Sequence, residues 1–336
     1  MVAHWRAIAG RIAGYARART GRSERGVAML AALLTISLMT ILVVDFTTSS
    51  ALGYRSAANQ ADELRALYLA RSGIAAGMAL LERDAIADAL NNSPGHQPYD
   101  ALTDIWAMPF PPVPIGGGTV SLVIVDESRK LSINRIYSMR TQQVDTNYVQ
   151  VVARLFENIG VSTDLIPVLV DWLDPDSVES PGGAEADYYL QLMPPYEPRN
   201  APMPTIGDLR ACKGVDDATF AVLSRYLSAS PETLVNPNTA PPEVLAALSP
   251  ELSNSPGVVK EIIAARMSQP FMTVNDFANV PGVGQFAQKI MPLLTTRSSY
   301  FTIIGEGDFA GARRRVYASV RRNTNGSVML LSWHED

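Results

Sequence analysis

Cysteine is almost absent from this sequence: Cys212 is the only one in 336 residues. An internal disulfide and a cysteine-based zinc site are therefore both excluded, and Cys212 reads as a small core residue. Histidine is nearly as scarce. His4 lies in the N-terminal segment ahead of the apolar run, while His96 and His334 are isolated in sequence and each reads as a surface residue rather than a catalytic base. No G-x-S-x-G, phosphate-loop or dinucleotide fingerprint occurs, so nothing supports an enzyme. Charge is sparse too, at 18% against 47% hydrophobic residues, a balance that excludes a disordered chain and suits a globular body with one membrane segment. The length accommodates two domains.

Charge is absent altogether from Val27–Val44, an apolar run of 18 residues, near the lower limit for a helix that crosses a bilayer. Thr35, Ser37 and Thr40 interrupt it only mildly, because their hydroxyls can return to helix carbonyls. Upstream lie Arg6, Arg11, Arg17, Arg19, Arg22 and Arg25 against Glu24 alone, a net of +5; the whole chain is −5, so everything from Val27 onward carries −10. The positive-inside rule keeps such an N-terminus cytoplasmic and sends the body across the membrane. The acidic body disfavours phosphate-backbone partners.

A cleaved secretory signal would end in a small-residue A-x-A site after the run, and none is present. The small residue, Gly26, instead precedes the run. That arrangement resembles the type IV prepilin leader, which implies cleavage between Gly26 and Val27 by a prepilin peptidase and N-methylation of Val27. A plain signal anchor fits the N-terminus alone equally well. From Ala51 to Leu90 there is no proline. Leu64, Leu67, Ile74, Met78 and Leu81 recur at helical spacing on one stripe. A continuous helix over Val27–Leu90 would run roughly 95 Å.

The proline- and glycine-rich stretch 91–118 reads as a loop, with Gly116-Gly117-Gly118 as a turn before the strand Thr119–Val125. Three further strands are expected at Tyr300–Gly305, Arg313–Arg322 and Val328–His334, the last two joined through Asn325-Gly326. Between Ile136 and Thr296 the pattern is helical. A helical domain is thus inserted into a small sheet. The expected parts are a leader at 1–26, a transmembrane and long helix at 27–90, a sheet domain at 91–136 and 297–336, and the insert at 137–296.

The insert repeats itself. TIGDLRACKGV (205–215) aligns with TVNDFANVPGV (273–283), matching Thr205 with Thr273, Asp208 with Asp276 and Gly214 with Gly282. Thr-x-x-Asp is a capping arrangement, and the glycine permits a tight reversal. The pair reads as two helix–hairpin–helix or SAM-like units. VPGVGQFAQKI (280–290) has the form that offers backbone N–H groups to a nucleic-acid phosphate, with Lys289 to assist. The first copy, however, carries Asp216-Asp217 there, so structural packing is the favoured reading. NPNTAPPEVLAAL (236–248), with Asn238 or Thr239 as a helix cap, belongs to the same assembly.

DWLDPDSVESPGGAEAD (171–187) gathers Asp171, Asp174, Asp176, Glu179, Glu185 and Asp187 in one bent stretch. Hard oxygen ligands on a flexible backbone are what calcium requires. The spacing is not that of an EF-hand. A solvated acidic loop has the same composition, and composition alone favours it slightly.

Taken together, the leader, the 171–190 block, the repeat, the NPNT stretch and the VPGVG hairpin resemble the K-type minor pseudopilins of the type II (general) secretion pathway. The resemblance implies an α/β (α+β) pilin-like fold carrying a large inserted all-α domain, at the tip of a periplasmic pseudopilus anchored in the inner membrane. It implies calcium held by Asp174, Asp176, Glu185 and Asp187, with Asp171 weaker. It implies I- and J-type minor pseudopilins and the major pseudopilin as partners, with the stripe Leu64, Leu67, Ile74 and Met78 packing against partner helices, and no nucleic acid. Pilins usually carry glutamate five residues into the mature chain; here that position is Ala31. A buried carboxylate in an apolar helix needs a partner, and a tip subunit has no neighbour above it to supply one. The competing class is a membrane-anchored helix–hairpin–helix DNA receptor of the competence type, which calls for a shorter chain and a basic body.

Overall fold

The computed structural model describes residues 2–91 and 98–335, the first 24 of these by backbone alone. His96 and Pro94 lie outside the described residues. The chain divides into two compact units, Met1–Leu64 and Arg65–Asp336.

The first unit is helix only, the leading part of α1 (Val2–Leu90). Its apolar segment is long and apolar enough to cross a membrane: mean hydropathy reaches 2.6 and none of that window is buried by protein. Thr35 Oγ1 donates to the Ala31 carbonyl and Thr40 Oγ1 to that of Ile36, both at 2.8 Å. The hydroxyls are thereby satisfied within the helix, which makes them tolerable in a lipid environment.

In the second unit α1 continues from Arg65 and lies on a five-stranded antiparallel sheet. After it come β1 (Val113–Ile115), β2 (Gly118–Asp126), β3 (Leu131–Ser132), β4 (Tyr137–Ser138) and β5 (Gln143–Val144). Then follow α2 (Thr146–Ile159), α3 (Leu165–Leu173), α4 (Ala186–Tyr189), α5 (Asp217–Tyr226) and β6 (Leu227–Ser228). The helical run ends with α6 (Pro242–Ala247), α7 (Pro250–Ser253), α8 (Pro256–Ser268), α9 (Val274–Ala278) and α10 (Ala287–Ile290). The chain closes with β7 (Tyr300–Phe309), β8 (Ala312–Arg322) and β9 (Val328–Glu335). The sheet order is β1-β2-β7-β8-β9, so the helical stretch is spliced between neighbouring strands β2 and β7.

The strand expected at Thr119–Val125 is β2, and the three C-terminal strands are β7, β8 and β9. Gly326, at φ +87°, makes the β8–β9 reversal. Strand β1 was hidden inside the expected loop, because Pro114 argues against a strand. It is tolerated since β1 is an edge whose outer side has no ladder to break; Val113 pairs with Val120 and Ile115 with Gly118.

Helix α1 approaches β7 closely. A Cβ on Gly307 would fall 2.0 Å from the Ala66 carbonyl oxygen, and one on Gly305 2.2 Å from that of Ala70. Ala66, Ala70, Ile74 and Leu81 are buried there, over Phe301, Ile303, Val316, Ala318 and Val320. The stripe read from the sequence is real, but its direction is corrected: Ile74 and Leu81 are buried on the chain's own sheet, with Leu67 and Met78 packed beside them. Only Leu64 of that set is well exposed.

The helical part has its own, larger core. In α2, Tyr148, Val151, Val152, Leu155 and Phe156 are buried at i, i+3, i+4, i+7 and i+8. Asp145 caps the start, accepting the Tyr148 N–H at 3.0 Å, and Gly160 at φ +72° ends the helix. Both sequence repeats carry a left-handed glycine just before their last residue, Gly214 and Gly282. Thr273 and Asp276 form a full capping box before α9. Thr205 begins a 3-10 turn over Ile206–Ala211, its hydroxyl 3.2 Å from Asp208 Oδ1. Cys212 is buried in this core, which raises its thiol pKa.

A buried polar joint ties the helical part to the sheet. Asp126, at the end of β2, accepts Thr239 Oγ1 at 2.6 Å and Ser298 Oγ at 2.8 Å. Asn236 donates to the Asp100 carbonyl and to Ser298 Oγ. Asn238 bridges Phe271 N–H and C=O through its side chain. Asn236, Asn238 and Thr239 are therefore fasteners between distant segments, and the cap expected at Asn238 or Thr239 is not formed, Pro241 standing at the N-cap of α6.

Candidate metal centre

The acidic stretch folds as the exit of α3 and the entry to α4. Asp171, still inside α3, is fully buried and holds the loop. Its carboxylate accepts the Ser180 N–H at 3.1 Å and the Ala184 N–H at 2.8 Å. Gly183 has to be glycine here, since a Cβ would lie 1.9 Å from Asp171 Oδ2. The Gly183 carbonyl accepts Lys213 Nζ at 2.9 Å, and that ammonium also lies 4.9 Å from the Tyr188 ring centre. The first repeat thus braces the loop.

Three carboxylates converge inside this frame. Asp174, Asp176 and Glu185 each offer an oxygen, and those oxygens all lie within 4.8 Å of one another. Asp174 is 7% exposed and Glu185 4%. Among the described residues Asp174 Oδ1 and both Glu185 carboxyl oxygens are buried without a well-formed hydrogen bond, although the Asn200 side chain and the Ala186 N–H face the Glu185 carboxyl. Asp176 is exposed and accepts the Val178 N–H at 2.8 Å. Burial, reinforced by Asp176, Asp171 and Glu185, pushes the Asp174 carboxyl up to about 7, and burial likewise raises that of Glu185. Like charges this close and this dry resist simultaneous ionisation. A divalent cation would remove that penalty and satisfy the orphaned oxygens, so the donor set fits a hard, oxygen-seeking ion.

The other residues named from the sequence lie outside this group. Asp187 is exposed on α4, with Gln191 donating to its backbone carbonyl, and Glu179 is exposed in the loop. Asp171 is occupied with the loop's own N–H groups. A second acidic group, Asp84, Asp100 and Asp104, had no local signal because its members sit on α1 and the segment after it. Its cation comes from the chain: Arg322 of β8 pairs with Asp84 at 3.0 Å and with Asp100.

The hairpins use their charges internally. Asp216 accepts the Thr219 N–H at 2.7 Å as the cap of α5, Asp217 pairs with Arg210, and Lys289 pairs with Glu251 at 3.1 Å. His334 stacks on Tyr317, ring centres 4.8 Å apart.

Comparison with known proteins supplies the family. Residues 129–232 and 235–297 match two models described as type II secretion system (T2SS), protein K. The type II secretion system protein K of Pseudomonas aeruginosa is 28% identical over 319 residues, 93% of this chain and 92% of that protein. The Klebsiella pneumoniae protein of the same description is 30% identical over 272 residues, 77% of this chain and 80% of its own. Among solved structures, a chain in the GspK-GspI-GspJ complex from the enterotoxigenic Escherichia coli type 2 secretion system superposes with a TM-score of 0.68 at 18% identity. The match covers 84% of this chain and 99% of that one. The long helix, small antiparallel sheet and helical part therefore recur as one fold, and the chain belongs to the type II secretion system protein K family.

Proposed function

We propose that this minor pseudopilin of type II secretion sits at the tip of the periplasmic pseudopilus, where it initiates or caps assembly for the export of folded proteins. The observation that carries the reading is the splice of a large helical part between adjacent strands of a pilin-type sheet. A subunit with that bulk beside its sheet is poorly suited to be followed by another along a filament axis. The helical part is taken as an inserted domain over 137–296, with the two repeats as its helix–hairpin–helix units. Ala31 fits the same role, since a terminal subunit has no need of the carboxylate that would meet a neighbour's N-terminal ammonium. The chain is held in the inner membrane by Val27–Val44, with the arginine-rich end cytoplasmic and the body periplasmic. Prepilin peptidase cuts between Gly26 and Val27.

Asp174, Asp176 and Glu185 hold calcium in this reading. The ion supplies the charge that lets buried carboxylates remain ionised, and so stiffens the α3–α4 exit. I- and J-type minor pseudopilins are the partners, as in the named complex, with the major pseudopilin below them. Because Leu67, Ile74 and Met78 face the chain's own sheet, the apolar side chains of α1 left for partners in the second unit are Tyr68, Ile86 and Leu90, all more than half exposed. Mass spectrometry of the membrane-extracted N-terminus tests the processing: mature protein beginning at Val27 is expected, and an intact Met1 in cells with active prepilin peptidase would refute it.

A further inference from the structure

Arg266, in the last turn of α8, is a buried charge that no carboxylate of the described residues answers. It is 7% exposed. Its Nη1 donates to the Pro237 carbonyl at 2.7 Å and to the Ala240 carbonyl at 2.6 Å, which uses both hydrogens of that nitrogen. Those are the only hydrogen bonds the guanidinium makes among the described residues, and Nε is buried without a partner. Nε and Nη2 form one edge of the group, the fork that grips two oxygens of a carboxylate or phosphate side by side. That edge is free of protein acceptors.

A second cation stands near it. Arg129, in the turn between β2 and β3, is half-buried and makes no hydrogen bond or ion pair among the described residues. The backbone brings it there: the Ser128 carbonyl accepts the Asn236 N–H at 2.8 Å, and Asn236 precedes the Pro237 that Arg266 holds. Burial, and then the charge of Arg129, pull the Arg266 guanidinium down to about 10, so it is still cationic at neutral pH. The neighbouring acids are engaged elsewhere. Glu127 accepts Lys130 Nζ at 3.0 Å and Thr302 Oγ1 at 2.8 Å, and Asp126 accepts the Thr239 and Ser298 hydroxyls. The end of α8 favours a cation through the helix dipole, but it supplies no acceptor for Nε. Two like charges beside an open fork call for an anion between them.

We propose that Arg266 and Arg129 form a binding site for a small oxyanion, an inorganic sulfate- or phosphate-type ion or a free carboxylate, held on the Nε–Nη2 edge of Arg266. With so little of Arg266 exposed, the opening suits an ion of that size and not a protein segment. The site includes none of the acidic loop. Its effect is on the joint: Arg266 grips the carbonyls of 237 and 240, and between them Asn236 and Thr239 fasten the helical part to Asp100, Asp126 and Ser298. A bound anion fixes the guanidinium and so steadies that fastening.

Calorimetric titration of the full-length chain in detergent tests it, with sodium sulfate in one arm, sodium acetate in another, and ionic strength held constant with sodium chloride. Saturable uptake of at least one of the two ions is expected, and the arm that responds tells a tetrahedral oxyanion from a carboxylate. Arg129→Gln removes no bond of the fold, so it should stay folded while weakening uptake by about tenfold. Arg266→Lys keeps a charge and a donor for the two carbonyls but has no fork, and should weaken uptake at least as much. Should the lysine variant not fold, the glutamine variant decides alone. No uptake of either ion beyond the chloride control overturns the proposal and leaves Arg266 as a strut for two carbonyls. Parental affinity in a folded variant of either kind overturns it as well.

Discussion

Within the loop, carboxylates that look equivalent in sequence do different work. Asp171 is spent on amides, Asp174 and Glu185 are held dry with too few donors to satisfy their oxygens, and Asp187 faces solvent. Calcium should therefore raise the melting temperature by mass action, and Asp174→Ala with Asp176→Ala should abolish that rise. A double variant whose melting responds to calcium as the parent's does would reduce the loop to a solvated surface. Gly183→Ala should lose the response as well, because the Asp171 carboxylate would have to leave the Ser180 and Ala184 amides. A pH effect belongs to the joint. Burial raises the Asp126 carboxyl from 3.8 to about 7 despite its hydroxyl donors. The folded state then binds the proton more tightly than the unfolded chain, so this group's contribution is fully present below pH 3.8 and is lost as pH rises through about 7. Asp126→Asn, which carries no such proton, should show a shallower fall in melting temperature between pH 5 and pH 7.5 than the parent. Equal slopes in the two proteins would remove Asp126 from the account.

The decisive contact between elements is α1 on β7, where backbone meets backbone over two glycines. Gly307→Val should destabilise the body by at least about 1–3 kcal/mol, the usual cost of overpacking, because the obstructing atom is a helix carbonyl that cannot step aside. Denaturant melts measure it. The same geometry changes which substitutions probe assembly. Leu67→Asp with Ile74→Asp would put charges under the chain's own sheet and unfold it, so loss of partner binding would say nothing about an interface. Ile86→Asp with Tyr68→Asp alters exposed positions and should leave melting unchanged within about 0.5 kcal/mol while weakening co-purification with partners. Much at this scale was legible in the sequence. Helical spacing located α1, β-branched runs located β2, β8 and β9, and Asn325-Gly326 marked the last hairpin. Spacing carries no direction, however: the stripe on α1 that suits partner helices lies largely under the chain's own sheet. Pro114 concealed β1, and the NPNT residues passed for caps because the segments they fasten lie more than thirty residues away.

For the whole molecule, the family and the order of its parts were readable because the motifs are local and stand in sequence. The metal group was readable only in part. Its loop could be seen, but which carboxylates converge depends on how α3 ends. The polar joint of Asp84, Asp100, Asp126, Ser298 and Arg322 left no trace at all, since its members span 239 positions from Asp84 to Arg322 counted inclusively. The central claim, a terminal subunit built on a pilin frame, concerns assembly, and mass measurement decides it. The full-length chain, co-expressed with I- and J-type pseudopilins, extracted in detergent with calcium and sized by light scattering, should run as one complex containing a single copy of this chain together with both partners. Homopolymers of the chain, or failure to associate with those partners at any calcium concentration, would contradict it.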